Sequence, residues 1–193
     1  MDAISETLGA PRVETNPVLY LVGCAAPPVL HVRTAIELAQ SHGYDTCLVL
    51  TPTADRWLAE QRTELESLTG HPVRSAYKLP AEPDVLPAAD RFIVAPGTFN
   101  TINKWAAGIS DTLALGLLTE AAGRGTQPIT VLPYLNAWQA GHSAFQTSVD
   151  RLRAMGIDVL LGEQYFVPHV PKSGLNRPSS YPWHLAFDAA HQL

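Results

Sequence analysis

The chain has 193 residues, 46% of them hydrophobic and only 16% charged, which excludes a disordered polymer and provides material for one globular core. A formal net charge of −5, without any run of lysine or arginine, excludes the basic surface of a nucleic-acid-binding protein. No apolar stretch reaches the roughly 18 residues of a membrane span, and Cys24 and Cys47 match no metal-ligand spacing. We therefore expect a cytoplasmic domain whose partners include no metal, nucleic acid or membrane.

Apolar runs and helix-type patterns alternate along the chain. The first 17 residues are polar and acidic and are predicted to form a flexible tail. A continuous apolar run predicts a buried strand at 18–23, and further apolar segments predict strands at 46–51, 72–77, 91–95, 129–132 and 157–161, of which 72–77 is the least apolar. Apolar residues at helical spacing predict helices at 32–43, 55–68, 100–122 and 144–155.

Strands separated by helices imply right-handed parallel crossovers. The predicted fold is therefore a single α/β, Rossmann-like, doubly wound domain over residues 18–162, in which a six-stranded parallel sheet carries helices on both faces. The strand order 3-2-1-4-5-6 fits this pattern. Residues 163–193 are rich in proline and too long for an ordinary connection, so they are predicted to form a functional flap or a disordered lid, followed by a terminal helix.

Small and hydroxyl-bearing residues follow three of the predicted strands. They are Gly23, Cys24 and Ala25 after the first strand, Thr51 and Thr53 after the second, and Pro96, Thr98, Asn100 and Thr101 after the fourth. In a doubly wound sheet, ligands bind beyond the carboxyl ends of the strands, where hydroxyls and free N–H groups at helix starts favour anions. A helix N-cap explains any one of these polar residues, but the same chemistry at three strand ends favours a phosphate-bearing ligand. Because the G-x-G-x-x-G motif and the phosphate loop are absent, this ligand is not predicted to be a dinucleotide of the usual kind.

Four segments of the chain resemble the homo-oligomeric flavin-containing cysteine decarboxylases. The segment APGTFNTINKWAAGISDTLAL resembles the family's P-A-[ST]-A-N-T-[IM] motif with the following K-x-A-x-G-[IA]-[AS]-D pattern. VLYLVGCAAP resembles the opening strand with its G-[ST]-I-A-A turn, and TPTADRWL resembles T-x-x-A-x-x-F-[IV]. PYLNAWQAGHSAFQTSVDRLRAMGIDVL resembles P-x-M-N-x-x-M-W followed by P-A-T-x-x-N-x-x-x-L. The family includes phosphopantothenoylcysteine decarboxylase and the peptidyl-cysteine decarboxylases of lanthipeptide and thioamitide biosynthesis.

The resemblance implies FMN as the cofactor. By matched position, Gly23, Cys24 and Ala25 would pass under the flavin phosphate and ribityl chain, Thr51, Thr53 and Trp57 would flank the cofactor, and Thr98, Asn100 and Thr101, with Pro96 in the same motif, would hold phosphate and flavin. Asn136 matches the motif asparagine that binds the substrate carboxylate in the family. A neutral amide can orient a carboxylate and still let it leave as CO2, whereas a paired arginine would stabilise the ground state. Asn136 is also compatible with a loop residue that satisfies a turn.

The chain departs from the family at the acid/base position. The family carries a histidine shortly before the fourth predicted strand, and Glu82, close to Asp84, stands in its place here. His71 and His142 are the nearest histidines in sequence, although a lone histidine is more often a surface or packing residue. The candidate catalytic set is therefore Asn136, Glu82, His71 and His142. The methionine and tryptophan of the P-x-M-N-x-x-M-W motif are also lost, with Gln139 and Ala140 in their places.

The flap differs from that of phosphopantothenoylcysteine decarboxylase, which has a cysteine there that reduces the ene-thiol intermediate. Residues 163–193 contain no cysteine. The resemblance therefore implies FMN-dependent oxidative decarboxylation of a C-terminal cysteine of a peptide to an ene-thiol. The alternatives are a phosphopantothenoylcysteine decarboxylase or another flavin redox enzyme, and a non-catalytic FMN-binding regulatory protein.

The resemblance also implies assembly, since trimers and dodecamers are usual in the family and the flavin lies at a subunit interface. We expect a homotrimer or a dodecamer. Trp105 and Trp138 offer large apolar side chains for contacts between subunits, and as core residues they would look the same in sequence.

Overall fold

A parallel sheet of five strands forms the centre of the computed structural model, which describes residues 16–174 and 180–191. The strands are β1 (Val18–Gly23), β2 (Asp45–Leu50), β3 (Arg91–Gly97), β4 (Ile129–Pro133) and β5 (Asp158–Val159). They are arranged in the order β2-β1-β3-β4-β5, and every neighbouring pair is parallel. The predicted α/β, Rossmann-like class is thus confirmed. The predicted tail up to residue 15, and residues 175–179 and 192–193 of the predicted flap, lie outside the described residues.

The prediction of six strands is wrong, because the segment 72–77 forms no strand. Only Arg74 pairs with the edge of β2, through a single bridge in which it accepts from the N–H of Leu50 at 2.8 Å. The reason lies in the neighbouring residues. The N–H of Arg74 donates to the Leu48 carbonyl at 3.1 Å, and Pro72, which would be the next donor to β2, has no N–H. The N–H of Val73 points away from β2 and donates to the Glu66 carboxylate at 3.0 Å. With this bridge in the place of a third strand, the observed order otherwise follows the predicted doubly wound one.

Eight α-helices are described. They are α1 (Val32–Ser41), α2 (Pro52–Trp57), α3 (Arg62–Thr69), α4 (Phe99–Ala106), α5 (Leu113–Arg124), α6 (Ala137–Ala140), α7 (Ser143–Ala154) and α8 (Trp183–His191). Short 3-10 helices cover Pro27–His31 and Ala59–Gln61. The helix predicted at 100–122 is divided into α4 and α5, because Gly108 between them has a φ of +73°, which ends a right-handed helix.

The helices cover both faces of the sheet. On one face α8 packs on α1 and also contacts β3 and β4, while α4 contacts α5 and α7 on the other. The strands between these layers are almost fully buried, which explains their continuous apolar sequences. Trp105 belongs to this core and is 2% exposed, whereas Trp138 is 73% exposed. Within the described residues, no helix has both the length and the apolar character needed to cross a lipid bilayer.

The loops that follow β1 and β3 meet where the crossovers leave the sheet in opposite directions. The N–H of Cys24 donates to the carbonyl of Pro96 at 3.2 Å and joins these two loops. The N–H of Thr51 donates to the carbonyl of Gly23 at 3.0 Å, which joins the start of the loop after β2 to the end of β1. Three strand ends are therefore tied together at the switch point, which is the usual ligand position in this fold.

Candidate functional site

A cavity of about 810 Å³ opens at the carboxyl ends of the strands. This volume lies within the roughly 300–1,000 Å³ typical of cofactor and ligand sites. Its lining comes from the loops after β1, β2, β3 and β4, from α4 and the start of α5, and from the segment after β5. The lining residues are Ala25, Ala26, Pro27, Thr51, Pro52, Thr53, Thr98, Phe99, Asn100, Thr101, Lys104, Thr112, Leu115, Tyr134, Leu135, Asn136, Gln139, His169, Lys172 and Gly174.

Hydroxyl groups gather at the start of α4. Thr98 is the N-cap of this helix, and its Oγ1 accepts from the N–H of Thr101 at 3.3 Å. The two hydroxyl oxygens, of Thr98 and Thr101, are 3.0 Å apart and share a hydrogen bond. Asn100 lies between them in the first turn and also lines the cavity. The cluster therefore offers hydroxyl donors at the positive end of a helix dipole, which suits a phosphate group.

The Thr51 hydroxyl lies at the cavity and makes no hydrogen bond within the part of the chain that the structure describes. Thr51 is the N-cap residue of α2, but its side chain makes no capping hydrogen bond. Its Oγ1 is buried, has no hydrogen-bond partner among the described residues and belongs to a residue of the cavity lining. Because a buried hydroxyl without a partner is costly, this atom is suited to a ligand in the cavity. The nearby hydroxyl of Thr53 instead accepts from the Arg56 guanidinium at 3.0 Å.

Cys24 lies beneath the threonine cluster and is fully buried. Burial raises the pKa of its thiol, and hydrogen bonds with Thr101 and Thr98 offset this effect only in part. The thiol is therefore protonated at neutral pH and is not a nucleophile. Gly23 lies deeper still, since a Cβ at this position would approach Leu50 to 2.8 Å. Gly23, Cys24 and Pro96 thus support the floor of the cavity without lining it.

The charged side chains of the cavity's described lining are those of two lysines, Lys104 and Lys172, and this lining contains no aspartate or glutamate. Lys104 forms a salt bridge with Asp111, which lies outside the lining. Lys172 is exposed and has a φ of +67°. In a chain with a net charge of −5, a lining without carboxylates favours anionic ligands.

Asn136 and Gln139 form a capping box at the start of α6. The Oδ1 of Asn136 accepts from the Gln139 N–H at 3.0 Å, and the Oε1 of Gln139 accepts from the Asn136 N–H at 3.1 Å. These contacts use both side-chain oxygens, so both NH2 groups stay available as neutral donors. Both residues line the cavity. The turn role and the ligand role considered for Asn136 are therefore compatible, because they use different atoms of one side chain.

The segment after β5 returns to the cavity and pairs with the segment after β4. The carbonyl of His169 accepts from the Ala137 N–H at 2.9 Å, and the His169 N–H donates to the Leu135 carbonyl at 3.2 Å. This bridge sets His169 beside Asn136. The imidazole packs on the ring of Tyr134, with the centroids 4.9 Å apart, and the Tyr134 hydroxyl donates to the Gly174 carbonyl at 2.6 Å. Part of the predicted flap therefore forms one wall of the cavity.

Besides Gly23, Cys24 and Pro96, four further predicted site residues lie outside the cavity lining. The Glu82 carboxylate accepts from the Leu79 N–H at 2.9 Å and so stabilises its own loop. His71 is hydrogen-bonded to Asp45, with Nε2 and Oδ1 2.7 Å apart. His142 caps α7, where its Nδ1 accepts from the Ala144 N–H at 3.1 Å. Trp57 is 47% exposed. The structure thus does not bring Glu82, His71 or His142 together with Asn136.

Among the lining residues that the sequence did not predict, Lys104, Gln139, His169 and Lys172 carry side chains that could bind a ligand. Lys104 is predictable from the sequence, because it follows the Asn-Thr motif and lies one helical turn after Asn100, on the same face of α4. Gln139 replaces the methionine of the family motif, and the motif itself therefore predicts no ligand contact for it. His169 and Lys172 lie in the flap, and no periodicity or spacing relates them to the strand ends that they meet.

The chain is similar to known flavoproteins. A model of the family described as Flavoprotein matches residues 16–176. The coenzyme A biosynthesis bifunctional protein CoaBC of Thermococcus kodakarensis is 28% identical over 134 residues, which cover 67% of this chain. The match covers only 32% of CoaBC, so it spans about a third of that protein.

Solved structures share the fold at lower identity. The FMN-dependent cysteine decarboxylase TvaF from thioviridamide biosynthesis is 20% identical, with a TM-score of 0.67 and coverage of 91% of this chain and 96% of TvaF. The peptidyl-cysteine decarboxylase EpiD is 21% identical, with a TM-score of 0.62 and coverage of 82% of this chain and 90% of EpiD. FMN, the predicted cofactor, is confirmed at the level of the family. Since the family model matches most of its length, the chain belongs to the Flavoprotein family.

Proposed function

We propose that the protein oxidatively decarboxylates the C-terminal cysteine of a peptide, with FMN as the cofactor, and leaves an ene-thiol. The observation that carries this proposal is the composition of one cavity. Its lining combines the threonine hydroxyls at the start of α4 with the neutral amides of Asn136 and Gln139, and its described part contains no carboxylate. A substrate carboxylate could thus be oriented without being trapped in a strong ion pair.

The described residues fit a flavin mononucleotide. Thr98 and Thr101 at the start of α4 would hold the phosphate, and the unsatisfied hydroxyl of Thr51 would donate to the cofactor. When bound, FMN supplies the redox chemistry and accepts a hydride from the cysteine Cβ. The protein supplies the remaining requirements, which are binding, orientation and proton transfer.

The amide of Asn136 has a specific part in this reaction. Its NH2 group would donate to the substrate carboxylate, while the capping contact with Gln139 holds the side chain in place. Loss of CO2 removes the negative charge that the amide binds. A neutral donor suits this change, because it holds the carboxylate less firmly than a cation would.

The absence of a cysteine from the flap segment bears on the product. Cys24 and Cys47 are the two cysteines of the chain, and both are buried. Neither is placed to reduce an ene-thiol in the cavity. The product would therefore stay an ene-thiol, and reoxidation would need an acceptor from outside the chain, such as oxygen.

A second candidate substrate is phosphopantothenoylcysteine. The match to CoaBC at 28% identity favours it, and exposed Lys172 at the cavity would suit a second anionic group. EpiD is also known in complex with the substrate peptide DSYTC, which favours the peptide. Both substrates end in a cysteine with a free carboxylate, so the same amides would serve either one.

Intact mass spectrometry tests the proposal. The FMN-loaded protein is incubated with a panel of peptides ending in cysteine, and with phosphopantothenoylcysteine. We expect a peptide product lighter by CO2 and two hydrogens. Peptides ending in serine or in cysteine amide are the matched controls and should not change. Turnover of the pantetheine compound alone would favour the second candidate, and bound FMN without turnover of any substrate would leave a non-catalytic FMN-binding protein.

A homotrimer or a dodecamer remains part of the proposal. Trp138 is exposed on α6, next to Asn136, and is available for a contact between subunits. Light scattering of the wild-type protein and of a W138S variant would test this, and we expect the variant to dissociate. A monomeric wild-type protein would contradict the proposal.

A further inference from the structure

We propose that His169 is the group that takes the proton of the substrate thiol and later returns it. This inference rests on the proposed decarboxylation and assigns an acid/base residue to the same site. None of Glu82, His71 and His142 lines the cavity, so the three candidates named from the sequence leave this role open.

Elimination within the cavity lining points to His169. A thiol proton needs an acceptor with a free electron pair, and the ammonium groups of Lys104 and Lys172 have none. The described lining contains no carboxylate. The hydroxyl of Tyr134 donates to the Gly174 carbonyl, and neutral hydroxyls are weak bases. The imidazole is the lining group whose chemistry suits proton transfer at neutral pH.

The hydrogen bonds of His169 assign its tautomer. Nδ1 lies 3.1 Å from the carbonyl oxygen of Val170. A carbonyl can only accept, so Nδ1 carries the proton and Nε2 of the neutral ring carries the electron pair. Among the described residues, Nε2 makes no hydrogen bond. With Nδ1 as the donor, Nε2 is the ring atom that would accept a proton from a ligand.

The backbone places this ring beside the amide that would hold the carboxylate. His169 and Asn136 are the bridged pair between two parallel segments, and side chains of a bridged pair project to the same side. A cysteine carboxylate bound to Asn136 would therefore bring its thiol close to the imidazole. The ring contact with Tyr134, 4.9 Å between centroids, fixes the orientation.

The proton transfer conserves atoms and electrons. The S–H bond of the substrate breaks, an Nε2–H bond forms, and sulfur keeps the electron pair as a thiolate. After the Cβ hydride has left, the carbon–carbon bond to the carboxylate breaks, CO2 departs, and the electron pair moves through the new double bond onto sulfur. The imidazolium then returns its proton to sulfur, which gives the ene-thiol and restores neutral His169.

Kinetics of the FMN-loaded protein on a cysteine-ending peptide test this assignment. The variant H169F keeps an aromatic ring on Tyr134 but has no nitrogen, and H169Q keeps polarity. We expect both to lower kcat by roughly 10²- to 10⁴-fold, the usual contribution of general acid/base catalysis, with little change in KM. Imidazole in solution should restore part of the activity of H169A. H184Q is the matched control, because His184 is exposed on α8 and lies outside the cavity lining.

A second readout does not depend on turnover. A peptide ending in penicillamine has no hydrogen on Cβ, so it can lose its thiol proton but not a hydride. Wild-type protein should form the thiolate, which gives a long-wavelength charge-transfer absorbance with oxidised flavin, and H169F should not. An equal band in both proteins, or no band in wild type, would overturn the role of His169.

The two proposals fail in distinguishable ways. A wild-type protein that leaves every cysteine substrate unchanged overturns the proposed function, and the assignment of His169 with it. A wild-type protein that is active while H169F is equally active overturns the assignment alone.

Discussion

Gly174 lies so close to the imidazole of His169 that a Cβ at this position would stand 2.9 Å from Nε2 and 2.7 Å from Cε1. The absence of a side chain at position 174 therefore allows the imidazole to occupy its position. Both residues line the cavity, and the Gly174 carbonyl is held by the Tyr134 hydroxyl at 2.6 Å. Any larger residue at 174 must displace the ring.

The variant G174A should lower decarboxylation while leaving FMN binding unchanged. The added methyl displaces the ring, and a catalytic group displaced by about 1 Å loses roughly 10- to 100-fold in rate. Steady-state kinetics and flavin fluorescence titration measure the two effects. G123A is the matched control, because Gly123 lies near the end of α5 and a Cβ added there would meet no neighbouring side chain within 4 Å. Equal activity of G174A and wild type would contradict the prediction.

The variant N136D should lose peptide turnover without losing its fold. Aspartate caps α6 as well as asparagine does, but it replaces the free NH2 group with a negative charge that faces the substrate carboxylate. Because like charges in contact cost several kcal/mol, we expect kcat/KM to fall by about 100-fold or more. Binding of a peptide that ends in cysteine amide should change far less. If both peptides are affected equally, Asn136 does not contact the carboxylate.

The variant T51V should change stability and cofactor affinity in opposite directions. Removal of a buried hydroxyl without a partner should stabilise the FMN-free protein by about 1 kcal/mol. The lost contact should raise the Kd for FMN by about tenfold. Urea unfolding and fluorescence quenching measure these effects. T130V is the matched control, since its hydroxyl is also buried and unpartnered but lies in β4 outside the cavity lining. It should gain stability with unchanged FMN affinity.

The half-buried carboxyl of Asp158 should make stability depend on pH. Burial raises its pKa above the ordinary 3.8, and Arg153 offsets this only in part. The folded protein therefore binds this proton more tightly than the unfolded chain, so the stability contribution is greatest below pH 3.8 and declines as pH rises through the folded pKa. D158N should be more stable than wild type at about pH 7, and the difference should shrink towards about pH 4. Urea unfolding at both pH values checks this.

D150N is the control for that measurement, because Asp150 is exposed on α7. Its stability should stay within about 0.5 kcal/mol of wild type at either pH. A gain for D158N that does not depend on pH would show that charge is not the cause.

Burial on both faces made most of the sheet predictable from the sequence. The predicted segments 18–23 and 91–95 fall within β1 and β3, because a strand between two helical layers must be apolar throughout. The segment 72–77 is less apolar, and Pro72 has no N–H with which to extend the bridge that Arg74 makes to β2. The proline is visible in the sequence, whereas the pairing of Arg74 with β2 depends on tertiary structure.

The candidate site likewise contains residues that the sequence pattern predicts and residues that only the tertiary structure places there. Residues that follow strands, such as Thr51 and Thr98, were predictable because parallel strands end at one edge of the sheet. His169 was not, because it reaches the cavity through a bridge to a residue 33 positions earlier in the chain. No hydrophobic period specifies that register.

The bridge between His169 and Asn136 also has a consequence for how this site can be redesigned. The threonines suited to the phosphate all precede residue 102, whereas the substrate-side amides and the imidazole follow residue 134. The wall that carries the imidazole is secured on both sides, by the Leu161–Phe166 bridge and by the Tyr181 hydroxyl, which donates to the Leu132 carbonyl at 2.6 Å. We therefore expect that replacement of residues 166–174 would change the substrate preference of the proposed reaction and leave unchanged the threonines that are proposed to bind the phosphate.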